Sequence, residues 1–149
     1  PGAVASLSGA PSQLISRFVD LYDEKSSLRM ESDKMEEDIA RGGMNRYDYK
    51  QRRRSLDRQL SEIDRSLAPV KEQLSSAQGR YQEMIKRIER AEAELQVIKT
   101  TSADLRNQYR SGRLSRDLYD SLSSDLARRK ERTQQTIDTT IINLREEIR

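Results

Sequence analysis

The chain has 149 residues, of which 34% are hydrophobic and 36% charged, with one Phe and no Trp. That is too little apolar side chain for a wide globular core, but ample for narrow helix–helix seams. Cys and His are both absent, which excludes disulfides and thiolate metal sites and removes the commonest general base and metal ligand.

The net charge of +3 is unevenly spread: residues 12–40 sum to −4, 41–68 to +4, 69–111 to +2 and 112–149 to +1. An acidic segment followed at once by a basic one suggests two helices paired with each other. No run of about 18 apolar residues is present, so no transmembrane helix is expected. The opening lacks the basic start and apolar run of a signal peptide. Its Gly, Ala, Ser and Pro content reads as a flexible linker over residues 1–11. The missing initiator Met suggests a processed form or an excised fragment, and a cytoplasmic location is expected.

A first helix is predicted over 12–40, with Ser12 as N-cap and Leu14, Phe18, Leu21, Leu28, Met35 and Ile39 as its stripe. Lys25 and Ser32 fall on that stripe, where polar residues cost stability but can fix register. A turn over 41–44 follows. Gly42 or Gly43 can take the left-handed conformation that ends a helix. Asn45 then caps the next helix, with Asp48 in its first turn. Met44 and Tyr49 are spaced as a hydrophobic staple.

The second helix, over 45–111, carries an apolar seam on a seven-residue beat. Tyr49, Leu56, Ile63, Val70, Ala77, Met84, Ala91, Ile98 and Leu105 form one set of positions. Leu60, Leu67, Leu74, Tyr81, Ile88, Leu95 and Tyr109 form the other, with Arg53 and Ser102 as polar interruptions. Pro69 interrupts this helix. Either the chain turns there and a four-helix bundle results, or the helix continues with a kink. Leu67, Val70 and Leu74 keep the beat across Pro69, which favours the kink, and Gly79 is a second soft point.

The turn chemistry recurs seventy residues on. At 112–113 the chain reverses again, with Gly112 matching Gly42, Leu114 matching Met44, Ser115 matching Asn45, and Tyr119 matching Tyr49. Seventy residues are ten heptads, so both copies share one phase and read as an internal repeat of a helical hairpin. A third helix is predicted over 114–149, with Leu118, Leu122, Leu126, Ile137, Ile141, Leu144 and Ile148 as its stripe. Lys130, Thr133, Thr136 and Thr140 thin that stripe in the middle. The expected fold is all-α, an elongated antiparallel coiled coil of three long helices without β-structure. A two-helix seam buries little surface, so association with a second copy is expected.

No constellation suits catalysis, and no cofactor, metal or small-molecule substrate is expected. The acidic runs Glu36-Glu37-Asp38 and Glu146-Glu147 read as solvated helix faces, because neighbours on a helix point apart. Arginine clusters are the better binding candidates. Arg52, Arg53 and Arg54 form one patch with Arg46, Lys50 and Arg58; Arg128, Arg129 and Lys130 form another with Arg132. Arg106, Arg110, Arg113 and Arg116 surround the second turn. Such faces can hold a phosphate backbone or an anionic membrane, while acidic partners within the chain would neutralise them. A remoter alternative is a helical arm of a larger enzyme.

The element Gly-x-apolar-Ser/Asn-Arg-x-x-Tyr occurs twice, within residues 35–60 and 105–130. With the heptads around it, this resembles the coiled-coil region of CdvA, the archaeal cell-division proteins that work with ESCRT-III relatives. In that family a small β-barrel precedes the coiled coil and a C-terminal motif recruits the ESCRT-III protein; neither lies in this chain. The resemblance implies the polymerising middle of a division scaffold, peripheral at the membrane. It also implies association with DNA and membrane, and an ESCRT-III-like partner recruited through regions outside this stretch.

Overall fold

Each half of the chain reverses at a glycine with left-handed backbone. In the computed structural model, which describes residues 2–77 and 79–148, with side chains from 12–76 and 79–148, the helices are α1 (Gly2–Ala40), α2 (Arg46–Ala77), α3 (Gly79–Arg110) and α4 (Arg116–Glu147). Gly42 has φ 76° and Gly112 φ 78°, and no other described residue has positive φ. The Gly43 amide donates to the Asp38 carbonyl at 2.9 Å and the Gly42 amide to Ile39 at 3.2 Å. The second turn repeats both bonds, from Arg113 to Gln108 at 2.9 Å and from Gly112 to Tyr109 at 3.1 Å. This paired closure satisfies the last carbonyls of a helix and needs a residue that tolerates φ > 0 at its centre.

Each following helix is capped as the spacing predicts. The Asp48 amide donates to Asn45 Oδ1 at 2.8 Å, and the Leu118 amide to Ser115 Oγ at 3.2 Å. Asn45 Nδ2 also reaches Asp48 Oδ2 at 2.8 Å, tying the cap to the first turn.

The all-α expectation holds among the described residues, but there are four helices rather than three. Pro69 does not divide the chain: it sits inside α2, between Leu67, Val70 and Leu74, which are all buried. Burial on both sides outweighs the one hydrogen bond that proline removes. Gln78, between α2 and α3, lies outside the described residues. Ala77, assigned to the seam, also has its side chain outside them. The segment 1–11, read as a linker, is helical backbone from Gly2 onward, in keeping with the high helix propensity of Ala3, Ala5, Leu7 and Ala10.

The chain divides into two compact units, Pro1–Gly79 with Glu147–Arg149, and Arg80–Glu146. In the first, α1 and α2 lie antiparallel, as the pairing of Lys25 with Asp64 and of Glu36 with Tyr49 shows. Their seam buries Ile15, Phe18, Val19, Tyr22 and Met35 of α1 against Leu56, Ile63, Leu67, Val70 and Leu74 of α2. Burying one such side chain stabilises by about 1.5–3 kcal/mol. The α1 stripe is therefore partly corrected: Ile15, Val19 and Tyr22 are buried, while Leu14, Leu21, Leu28 and Ile39 are only half-buried.

In the second unit α3 buries Tyr81, Ile85, Ile88, Ala91, Ile98 and Leu105, and α4 buries Leu126, Ile137, Thr140, Ile141 and Leu144. Leu114, Tyr119 and Leu122 close the turn end over Ile98, Leu105 and Leu126. Leu118 and Ile148, assigned to the α4 stripe, and Tyr109, assigned to the seam, are exposed instead. Next to Leu118, Tyr119 takes the packing position and stacks on Tyr109, ring centroids 4.6 Å apart.

Gly42→Ala and Gly112→Ala should each cost about 1–2 kcal/mol, because L side chains disfavour that backbone region. Gly43→Ala, with ordinary φ and its nearest atom the Asp38 carbonyl at 3.5 Å, should be neutral or gain about 0.4–1 kcal/mol. Urea unfolding of the three variants separates the cases. Pro69→Ala should stabilise by about 1–3 kcal/mol by restoring a helix hydrogen bond; a loss of stability would show that a proline bend shapes α2.

Candidate functional site: a polar clasp and its basic flanks

The polar interruptions of the apolar beat meet across the first hairpin. A turn at Gly42 places 32 opposite 53 and 36 opposite 49. Arg53 Nη1 donates to Ser32 Oγ at 2.7 Å and to Glu36 Oε1 at 3.1 Å. On its own helix Arg53 reaches Asp57 Oδ1 through Nε at 3.1 Å and Nη2 at 2.8 Å. The Tyr49 hydroxyl donates to Glu36 Oε1 at 2.7 Å. Ser32 is buried, and Arg53 is largely withdrawn from solvent with 20% of its side chain exposed. One guanidinium therefore binds two carboxylates and a hydroxyl from two helices, a geometry suited to fixing register.

Further along the same seam lies a second device. Buried Lys25 places Nζ 2.7 Å from Asp64 Oδ1 and 5.8 Å from the centre of the Tyr22 ring. Asp64 is more than half exposed, so this pair bridges core and solvent.

Electrostatics follow the geometry. Burial lowers the affinity of Arg53 for its proton, but its bonds to Asp57 and Glu36 outweigh that and raise its pKa. The hydrogen bond to Glu36, then burial, raises Tyr49 above its usual 10.0.

The basic flanks are largely paired within the chain. Arg52 bridges to Glu31 of α1, Arg129 to Glu94 of α3, and Arg128 to Asp125 one turn away. Arg116 sits 4.0 Å from Asp120 with both side chains well exposed. Arg54 and Lys130 lie on exposed positions. The triplets Arg52–Arg53–Arg54 and Arg128–Arg129–Lys130 thus do not form continuous free basic faces, because α1 and α3 supply carboxylates to part of each.

The turn residues Gly42, Gly43, Asn45, Gly112 and Ser115 serve the reversals and caps as expected. Met44, Tyr49, Leu114 and Tyr119 are half-buried beside them. Of the seam residues, Leu56, Ile63, Leu67, Val70, Leu74, Tyr81, Ile88, Ile98 and Leu105 are buried; Leu60, Met84 and Leu95 are half-buried.

Sequence reasoning missed Glu36 and Asp57. Glu36 stands among three adjacent acids, and only its position opposite Tyr49 and Arg53 distinguishes it. Counting back from the turn glycine would have found it.

The second hairpin has no copy of this clasp. Seventy residues on, Glu36, Arg53 and Asp57 correspond to Arg106, Ser123 and Ala127, while Lys25 and Asp64 correspond to Leu95 and Gln134. There the tyrosine at the matching place stacks on Tyr109, where the first hairpin has Ile39.

The clasp has a pH signature. Tyr49 donates only while protonated, so the folded state holds that proton to higher pH than the unfolded chain. Its stabilisation should be complete below pH 10.0 and fall as pH rises through the raised folded value. Comparing alkaline unfolding of the wild type and Tyr49→Phe isolates this loss, which the variant should lack. Arg53→Met should cost about 1–3 kcal/mol by leaving Ser32 without its donor and Glu36 with Tyr49 alone, read by urea unfolding at neutral pH. No model of a known protein family matches the sequence, and no curated protein matches it either.

Proposed function

We propose that this chain is a non-enzymatic helical scaffold that associates with further copies of itself through coiled-coil packing. One observation carries the reading: large apolar side chains lie outside the buried seams. Met30 is 72% exposed, Tyr47 71%, Ile142 56% and Val97 52%. A 32-residue helix such as α3 spans about 48 Å. Two such helices side by side form a unit with more flank than core. Exposed apolar flanks on paired helices are the surfaces that further helices cover.

The heptad beat of α2 and α3 supports the same reading, as does the internal repeat, whose two turns lie ten heptads apart in the sequence. Resemblance of the turn element to the CdvA coiled coil supplies a setting, an archaeal division scaffold working with ESCRT-III-like proteins at the membrane. Among the described residues no helix is long and apolar enough to cross a membrane, so attachment there would be peripheral. Pairing of Arg52, Arg53 and Arg129 within the chain weighs against the alternative of a nucleic-acid or membrane arm built on those patches.

Sedimentation equilibrium over a wide concentration range tests the scaffold. A dimer or larger species should grow with concentration. Met30→Lys and Val97→Lys should each weaken it about tenfold while leaving helicity unchanged, since burying a Lys charge at an apolar contact costs more than about 1.4 kcal/mol. A monomer at every concentration would end this reading.

A further inference from the structure

The second hairpin carries an open groove of 340 Å³ between α3 and α4, lined by Arg87, Arg90, Ala91, Glu94, Arg132, Thr133 and Thr136. We infer that this groove is a binding site for a compact oligophosphate anion, with Arg87, Arg90 and Arg132 as its ligands. The inference is independent of self-association.

Charge is the first ground. Glu94 is held by Arg129, so that pair brings no net charge. Among the described residues Arg87, Arg90 and Arg132 have no side-chain hydrogen bond or ion pair. Three guanidinium groups with unused N–H forks therefore border one small hollow. All three side chains are exposed and free to reach a ligand in the groove, and forks of this kind match phosphate oxygens two at a time.

The threonine hydroxyls are already committed within α4. Thr133 donates to the Arg129 carbonyl at 2.8 Å, and Thr136 to the Arg132 carbonyl at 3.2 Å. The guanidinium groups are left as the donors.

The repeat supplies an internal comparison. Seventy residues earlier, Ala91 and Thr133 correspond to Leu21 and Ile63, while Arg90 and Arg132 correspond to Asp20 and Glu62. At this level the second hairpin has smaller or polar residues where the first has two bulky apolar ones, and two arginines where the first has two acids. Ile63 is buried and Leu21 half-buried in the first hairpin, so that set fills the level more fully than Ala91 and Thr133 do. Both differences together make a hollow and charge it, which is what an anion needs.

Phosphate chains, free or carried by a nucleotide, share this chemistry. Titration calorimetry of the full chain at low salt, with tripolyphosphate, ATP and AMP as probes, tests the site. Saturable binding of tripolyphosphate with one site per chain is expected, and AMP should bind far more weakly. Equal affinities for tripolyphosphate and ATP would identify the free phosphate chain as the ligand; tighter ATP would identify a nucleotide.

The double variant Arg90→Gln with Arg132→Gln should weaken binding by about tenfold or more through loss of charge-assisted hydrogen bonds. Arg116→Gln, outside the groove, should leave it unchanged. Ala91→Leu with Thr133→Ile, which restores the residues of the first hairpin, should abolish binding while retaining helicity. Absence of saturable binding, equal loss in Arg116→Gln, or binding that persists in the filled-groove variant would overturn the site. So would binding of oligonucleotides without binding of tripolyphosphate.

Discussion

Everything in this molecule depends on where the chain reverses. A left-handed glycine at 42 and another at 112 close two helices with the same pair of hydrogen bonds, and an Asn or Ser three residues later opens the next helix. Once the reversal is fixed, antiparallel register is fixed with it, because each residue's opposite number is set by its distance from the glycine. Ser32 then has to face Arg53, and Glu36 has to face Tyr49. Moving the turn by one residue would bury an unpaired guanidinium against apolar side chains, a large penalty.

The two hairpins use this common frame differently. The first combines a mostly apolar seam with two polar devices, Lys25 with Asp64 and the group around Arg53. Such contacts add little net stability over apolar ones, but they penalise every wrong register. The second spends its polar residues otherwise. Its turn end is sealed by stacked tyrosines over an aliphatic cluster, and its middle is loosened by Ala91 and the α4 threonines. Thr140 is buried yet satisfied by the Thr136 carbonyl at 2.7 Å, so polar bulk is accommodated there without a partner across the seam.

Most of the turn chemistry was legible in the sequence, because glycine, cap and staple act within ten residues of one another. The seam of α2 and α3 was legible for a related reason: its period is a local property. The first helix was harder. Phe18, Lys25, Ser32 and Met35 of the expected stripe are buried, but so are Ile15, Val19 and Tyr22 on its flank, while Leu14, Leu21 and Leu28 are half-buried. What decided burial was the pairing of Lys25, Ser32 and Glu36 with α2, a non-local fact. Pro69, the strongest local breaker in the sequence, lies inside α2 between buried Leu67 and Val70, so the continuity of the seam prevailed over the local signal.

The turn glycines also say what kind of constraint they impose. A Cβ built on Gly42 or Gly112 would meet no atom within 4 Å. Space is therefore not what keeps these positions bare; the objection to a side chain is stereochemical. A residue of the opposite hand, with its methyl group in the mirror-image position, would sit at φ near 76° without strain and would narrow the unfolded ensemble. The hairpins demand achirality at two points, and they would accept inverted chirality there just as well.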